Sequence, residues 1–221
     1  MNTADLITKK IFIRRTKDKS MRSTGMSVPS IKDVPQGRLG MWILIAGEMV
    51  IFGGLIACYL LYRLRHPEWA EQAAYTSTPL GALNTVVLLT SSFTVVMAHA
   101  ASLKKQLHQV TRWMSATIGL GLVFLIVKAF EYTSEINQGF TLTSPELVAR
   151  GESVAATFWS FYYLATGLHA LHVLAGMIAL FIVMLGARKG KHLHRVELSG
   201  MYWHMVDIIW IFLFPLFYLS S

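Results

Sequence analysis

Glu48, His99, Lys128, Glu131, His169, His172, His204 and Asp207 are the residues of this sequence whose types could move protons, pair charges or ligate a metal. All eight fall inside or at the edge of long apolar runs, where an unpartnered ionised group is costly. Lys128 and Glu131, His169 and His172, and His204 and Asp207 are each three residues apart, so each pair shares one face of a helix. Lys128 and Glu131 can neutralise each other, with Glu135 one turn further on. Asp207 can orient His204 or share its positive charge, which makes that pair self-consistent without a metal. Two imidazoles on one face raise haem or metal ligation for His169 and His172. A bis-histidine haem needs partners of matching depth on another helix, however, and His99 and His204 lie nearer one membrane side; interhelical hydrogen bonding is the simpler expectation. Glu48 reads either as a helix-pairing carboxyl or as part of a proton, water or gas pathway. His99 reads as a structural hydrogen bond or a lipid-headgroup contact.

The elements that must position these residues are five apolar spans, at 39–61, 80–103, 113–132, 155–185 and 201–219. Each reaches the roughly 20 residues that carry a helix across about 30 Å of hydrocarbon. Backbone groups in lipid must be satisfied internally, so the expected fold is an all-α integral membrane protein, five transmembrane helices in a bundle. Composition agrees: 54% of the 221 residues are hydrophobic and 14% charged, against about 45–50% and 25% in soluble domains. The fourth span is longer than a perpendicular crossing needs, so it should tilt or project beyond the bilayer. Gly40, Gly47 and Gly54 recur every seven residues on the first span and offer a smooth face for close backbone approach. On the second, Thr85, Ser92 and His99 repeat at seven with Asn84 and Ser91 beside them, a polar edge that should face protein.

Residues 1–38 are polar and basic, and 39–221 form the five-helix domain. The leading segment reads as a flexible or surface-lying tail without a cleavable signal peptide. Together with Lys104, Lys105, Arg112, Arg188, Lys189, Lys191 and Arg195 it places sixteen of the twenty Lys and Arg on one side, and Arg63, Arg65 and Arg150 on the other. By the positive-inside rule the N-terminus is cytoplasmic and the C-terminus outside. A bacterial cytoplasmic membrane, or less readily the mitochondrial inner membrane, is the expected location. The +8 net charge therefore points to a membrane, with no nucleic-acid partner. Cys58 stands alone, so no cysteine-based metal site or intrachain disulfide arises. Phosphate loops, H-E-x-x-H, nucleophile elbows and dinucleotide fingerprints are absent from the sequence. The loop at 133–154 is long enough for a cap or partner contact but too short for a catalytic domain.

Taken in order, RLGMWILIAGEMVIFGG, LNTVVLLTSSFTVVMAHAA, VFLIVKAFEYTSEI, FYYLATGLHALHVLAG and MYWHMVDIIWIFLFPLFY resemble subunit III of the haem-copper oxidases, especially the cytochrome c oxidase branch. The resemblance runs from about Arg38 to the C-terminus and is most specific in TGLHALHVLAG and YWHMVDIIWIFLF. It implies an accessory subunit without haem or copper of its own, packed against catalytic subunit I with subunit II nearby. Haem and copper would belong to those partners, and structural phospholipid would be held beside subunit I. It also implies support of proton uptake, oxygen access and turnover stability in an aerobic respiratory complex. The five-span pattern is similar to the short form of the family, also found in quinol oxidases and in accessory proteins of nitric oxide reductases. Glu48 matches the buried glutamate of the helix facing the catalytic subunit, His99 the AH histidine, and Glu131 the EY glutamate. His169 and His172 match GLHALH, and His204 and Asp207 match YWHMVD. An autonomous membrane haem protein or a small transporter is the reading from another class.

Overall fold

The computed structural model describes residues 36–191 and 193–219. Nearly all of the basic leading segment therefore lies outside the described residues. Of residues 1–39, the described part is the first turn of the first helix; the account below concerns 40–221, which form one unit.

The helices, in chain order, are α1 (Gln36–Arg65), α2 (Trp69–Ala73), α3 (Thr78–Leu103), α4 (Leu107–Asn137), α5 (Pro145–Ala149), α6 (Ser153–Arg188) and α7 (His194–Tyr218). Among the described residues, five of them, α1, α3, α4, α6 and α7, are long and apolar enough to cross a membrane. Each outruns the apolar span that foretold it, because a helix continues into the polar interface until its backbone finds other partners. With 36 residues, α6 is about 54 Å long at 1.5 Å per residue, well beyond the hydrocarbon thickness. The short helices α2 and α5 carry no extended apolar pattern, and nothing in the hydropathy reading foretold them.

α3 packs on α4 and α7, and α6 packs on α4 and α7 as well, so these four helices close a ring around a common interior. Close approach inside the ring depends on glycine. A Cβ on Gly121 would stand 2.8 Å from Trp203, and one on Gly176 would stand 2.9 Å from it, so the indole fills the space that two absent side chains leave. Trp203 then donates from Nε1 to Ser91 Oγ at 2.9 Å, and Trp210 donates to Thr85 Oγ1 at 3.0 Å. The polar edge of the second span thus faces α7.

Beyond this ring, α1 sends only Phe52 and Tyr59 fully into the interior. Tyr59 donates to the Leu216 carbonyl at 2.8 Å, while Thr76 and Thr78 donate to those of Phe217 and Tyr218, both at 3.1 Å. The last carbonyls of α7 have no intrahelical donor, so these side chains cap its end. α2 is pinned by Trp69, which donates to the Val154 carbonyl at 3.0 Å and stacks beside Tyr59 and Tyr62.

Candidate functional site

The most elaborate polar arrangement lies in the half of the ring away from the Lys/Arg-rich end. Lys128 and Glu131 are carried one turn apart on α4, and their side chains meet at 3.1 Å while almost wholly buried. Three acceptors surround the ammonium: Glu131 Oε2, the Tyr162 hydroxyl at 2.7 Å from α6, and the Tyr218 hydroxyl from the end of α7. An ammonium has three donors, so all are used. Tyr162 also lies 3.0 Å from Glu131 Oε1, 2.8 Å from Glu135 Oε1 and 3.2 Å from the Tyr218 hydroxyl. The rings of Tyr132, Tyr162, Trp210 and Tyr218 stand around the ammonium, with centroids 4.5–5.7 Å away. Three helices are therefore tied through one cation. Its Coulomb attraction is strong because water is excluded, and for the same reason the loss of either partner is expensive.

A second contact joins α1 to α6. Glu48 Oε2 lies 3.0 Å from His172 Nε2, both side chains retaining some exposure. The other ring nitrogen of His172 is 2.8 Å from the Leu168 carbonyl, which can only accept, so Nδ1 carries a hydrogen. The Glu48–Nε2 contact is thus one of ion-pair distance across two helices, without the alignment of a hydrogen bond. Phe52 packs edge-on against the same imidazole at a centroid distance of 5.4 Å.

Toward the Lys/Arg-rich end, Ser92 Oγ lies 2.6 Å from His204 Nδ1. His99, Glu197 and His204 line one recess of about 130 Å³ between α3 and α7. Asp207 is buried, and neither carboxyl oxygen has a hydrogen-bond partner.

Several sequence expectations change here. His204 pairs with Ser92 and not with Asp207: the spacing that brings Lys128 to Glu131 is not enough here, where a hydroxyl of α3 takes the Nδ1 position and neither oxygen of Asp207 has a hydrogen-bond partner. His169 makes no interhelical hydrogen bond. Its ring is fully buried, both nitrogens lack partners, and it sits between Phe124 and Trp210 at centroid distances of 5.5 and 5.2 Å. His169 therefore faces the ring interior and His172 faces α1, so the two imidazoles have different neighbours and present no common ligand pair. Among the described residues, no group of three or more His, Cys, Asp or Glu is placed to hold a metal ion.

The family profile described as Cytochrome c oxidase subunit III matches residues 10–221. The chain belongs to that family. Among curated relatives, the cytochrome c oxidase subunit 3 of Thermostichus vulcanus is 30% identical over 206 residues, covering 90% of this chain and 96% of the relative. That of Corynebacterium diphtheriae is 32% identical over 187 residues, covering 81% and 86%. A third, from Bacillus sp., is 28% identical with 83% and 85% covered.

In this subunit III family member, seven of the eight residues singled out by type and spacing are divided among three places, and His169 stands alone between Phe124 and Trp210. Lys128 and Glu131 meet as their spacing suggested. Glu48 and His172 meet across two helices, a pairing that no spacing rule reaches. His99 and His204 share a recess whose lining does not include Asp207. Sequence reasoning missed Tyr162 and Tyr218 altogether. Tyrosines near a span end read as interfacial belt residues, and only the packing of α6 and α7 turns their hydroxyls onto Lys128.

Proposed function

We propose that this subunit III family member is a non-redox accessory subunit of an aerobic cytochrome c oxidase, packing on catalytic subunit I through α1. The observation that carries the reading is the openness of that helix. Two residues of α1 are buried, against twelve of α7, although α1 is one of the most apolar spans. The positions of Gly40, Gly47, Gly53 and Gly54 have nothing within 4 Å of where a Cβ would stand, so among the described residues nothing packs on this smooth stripe. A second transmembrane protein can approach it closely.

Subunit II and further respiratory subunits complete the complex, and haem and copper reside in the partners. The N-terminus faces the cytoplasm of a bacterial cell and the C-terminus the outside, a direction set by the basic loops and the leading segment. A recess of about 360 Å³ between α1, α6 and α7, lined by Met41, Leu44, Ala179 and Val183 with Arg195 at the basic end, supports retention of structural phospholipid. Glu48 and His172 border the partner-facing helix and serve proton uptake and oxygen access by keeping that boundary ordered during turnover, while electrons pass through the partners.

The test is purification of the tagged chain in mild detergent, with an absorption spectrum and subunit analysis of what accompanies it. Recovery of a haem-copper catalytic subunit with a cytochrome c-reactive partner is expected. Recovery of a quinol oxidase or nitric oxide reductase would reassign the host enzyme. Haem retained by the isolated chain would overturn the accessory reading.

A further inference from the structure

We infer that Glu135 is a proton-binding site, held as a neutral carboxylic acid that donates to Tyr162 and heads a directed relay ending at the Glu131–Lys128 ion pair. The inference is independent of which oxidase the chain serves.

It follows from counting hydrogens. Lys128 has three to give and three acceptors in reach, Glu131 Oε2 and the oxygens of Tyr162 and Tyr218. Tyr162 has one, yet its oxygen lies 3.0 Å from Glu131 Oε1 and 2.8 Å from Glu135 Oε1. One hydroxyl cannot donate to both. If both acids were ionised, one of those oxygens would face the phenol without a hydrogen between them, and two carboxylates would share a single cation. All three charged groups are nearly inaccessible, Lys128 at 2%, Glu131 at 1% and Glu135 at 3% exposure. A surplus negative charge there is the arrangement that burial penalises most.

A proton on Glu135 removes both conflicts. Glu135 then donates to Tyr162, whose own hydrogen goes to Glu131 Oε1, while Lys128 donates to Glu131 Oε2. Net charge falls to zero, and the contacts of Glu135 with Tyr162, Tyr162 with Glu131 and Lys128 with Glu131 each have one hydrogen. The Glu135 Oε2 atom, which has no partner, becomes the carbonyl oxygen of the acid, the form that tolerates an empty lone pair best. The groups facing Glu135 are Lys128 and Glu131 on α4 and Tyr162 and Tyr163 on α6, with Tyr218 of α7 reached through Tyr162. Lys128 is the one cation among them, and Glu131 already neutralises it. One step along the relay breaks the O–H bonds of Glu135 and Tyr162 and forms new ones on Tyr162 and Glu131, with no change of oxidation state. The cluster can thus pass a proton between its two acids while keeping the total.

Infrared spectra of the full chain in lipid nanodiscs, recorded in H2O and D2O, test this. The expected result is a carboxylic-acid carbonyl band that shifts with 13C-glutamate labelling, survives Glu48→Gln and Asp207→Asn, and disappears in Glu135→Gln. Tyr162→Phe should move the band to higher frequency by removing the acceptor. Glu135→Gln should also fold, with yield within about twofold of the parent, because an amide replaces a neutral acid and still donates to Tyr162. The proposal is overturned if no glutamate-dependent band exists, if the band survives Glu135→Gln, or if that variant's folded yield collapses.

Discussion

The Lys128 cluster and the Glu48–His172 contact each bury an acid beside a nitrogen base, yet they differ in how completely they are enclosed. Lys128 is held by α4, α6 and α7 and has every donor engaged. Glu48 reaches one partner across a helix pair, and both side chains remain partly exposed, at 19% and 16%. The first arrangement resembles the interior of a finished protein. The second resembles an edge that still has a neighbour to meet. The lesson is that charge inside a membrane protein serves cohesion where helices enclose it on all sides, and serves boundaries where one side stays open.

Removing the cation should have the largest effect. Lys128→Met strands Glu131 among apolar rings and should cost about 3–5 kcal/mol, visible as loss of folded chain on a native gel. Adding Glu131→Gln should recover part of that loss, since a neutral pair leaves no buried charge. If the double variant is as poor as the single, the ion pair is not what holds the three helices together.

Glycine substitutions sharpen the contrast between enclosed and open regions. Gly176→Leu drives a side chain into Trp203 and should destabilise the chain itself by about 1–3 kcal/mol or more, measured by thermal unfolding in detergent. Gly54→Leu meets nothing among the described residues and should leave that unfolding temperature unchanged. It should instead lower recovery of the catalytic partner. Equal effects of both substitutions on the isolated chain would erase the distinction.

At the open contact, Glu48→Lys sets a cation against His172 and should reduce complex yield, whereas Glu48→Gln keeps shape and hydrogen-bonding capacity and should assemble nearly normally. Normal assembly of the lysine variant would mean that this position faces water or lipid freely. The smallest effect belongs to Ser92→Ala, which removes the partner of His204 Nδ1 and should cost about 1 kcal/mol in chain stability. Asp207→Ala should leave His204 in place, because the Nδ1 contact of the histidine is with Ser92. A greater loss of histidine ordering in Asp207→Ala than in Ser92→Ala, read by NMR of the labelled imidazole, would reverse that assignment.

The five long apolar helices and the i, i+3 meeting of Lys128 with Glu131 were legible in the sequence, because hydropathy and helical spacing are local properties. The polar edge of Thr85, Ser92 and His99 was also legible as a face that seeks protein, although not which helix it seeks. What tertiary structure alone decided was the partner of each remaining polar group. Tyr162 and Tyr218 come to Lys128 from 34 and 90 residues away, and His172 comes to Glu48 across more than half the chain. His169 and His172, alike in type and on one helix, part company because 60° of rotation is enough to turn one toward Trp210 and the other toward α1. Sequence fixes which faces cannot be left to lipid; the ring of α3, α4, α6 and α7 settles who meets them, since that depends on packing many side chains at once and not on any single residue's preference.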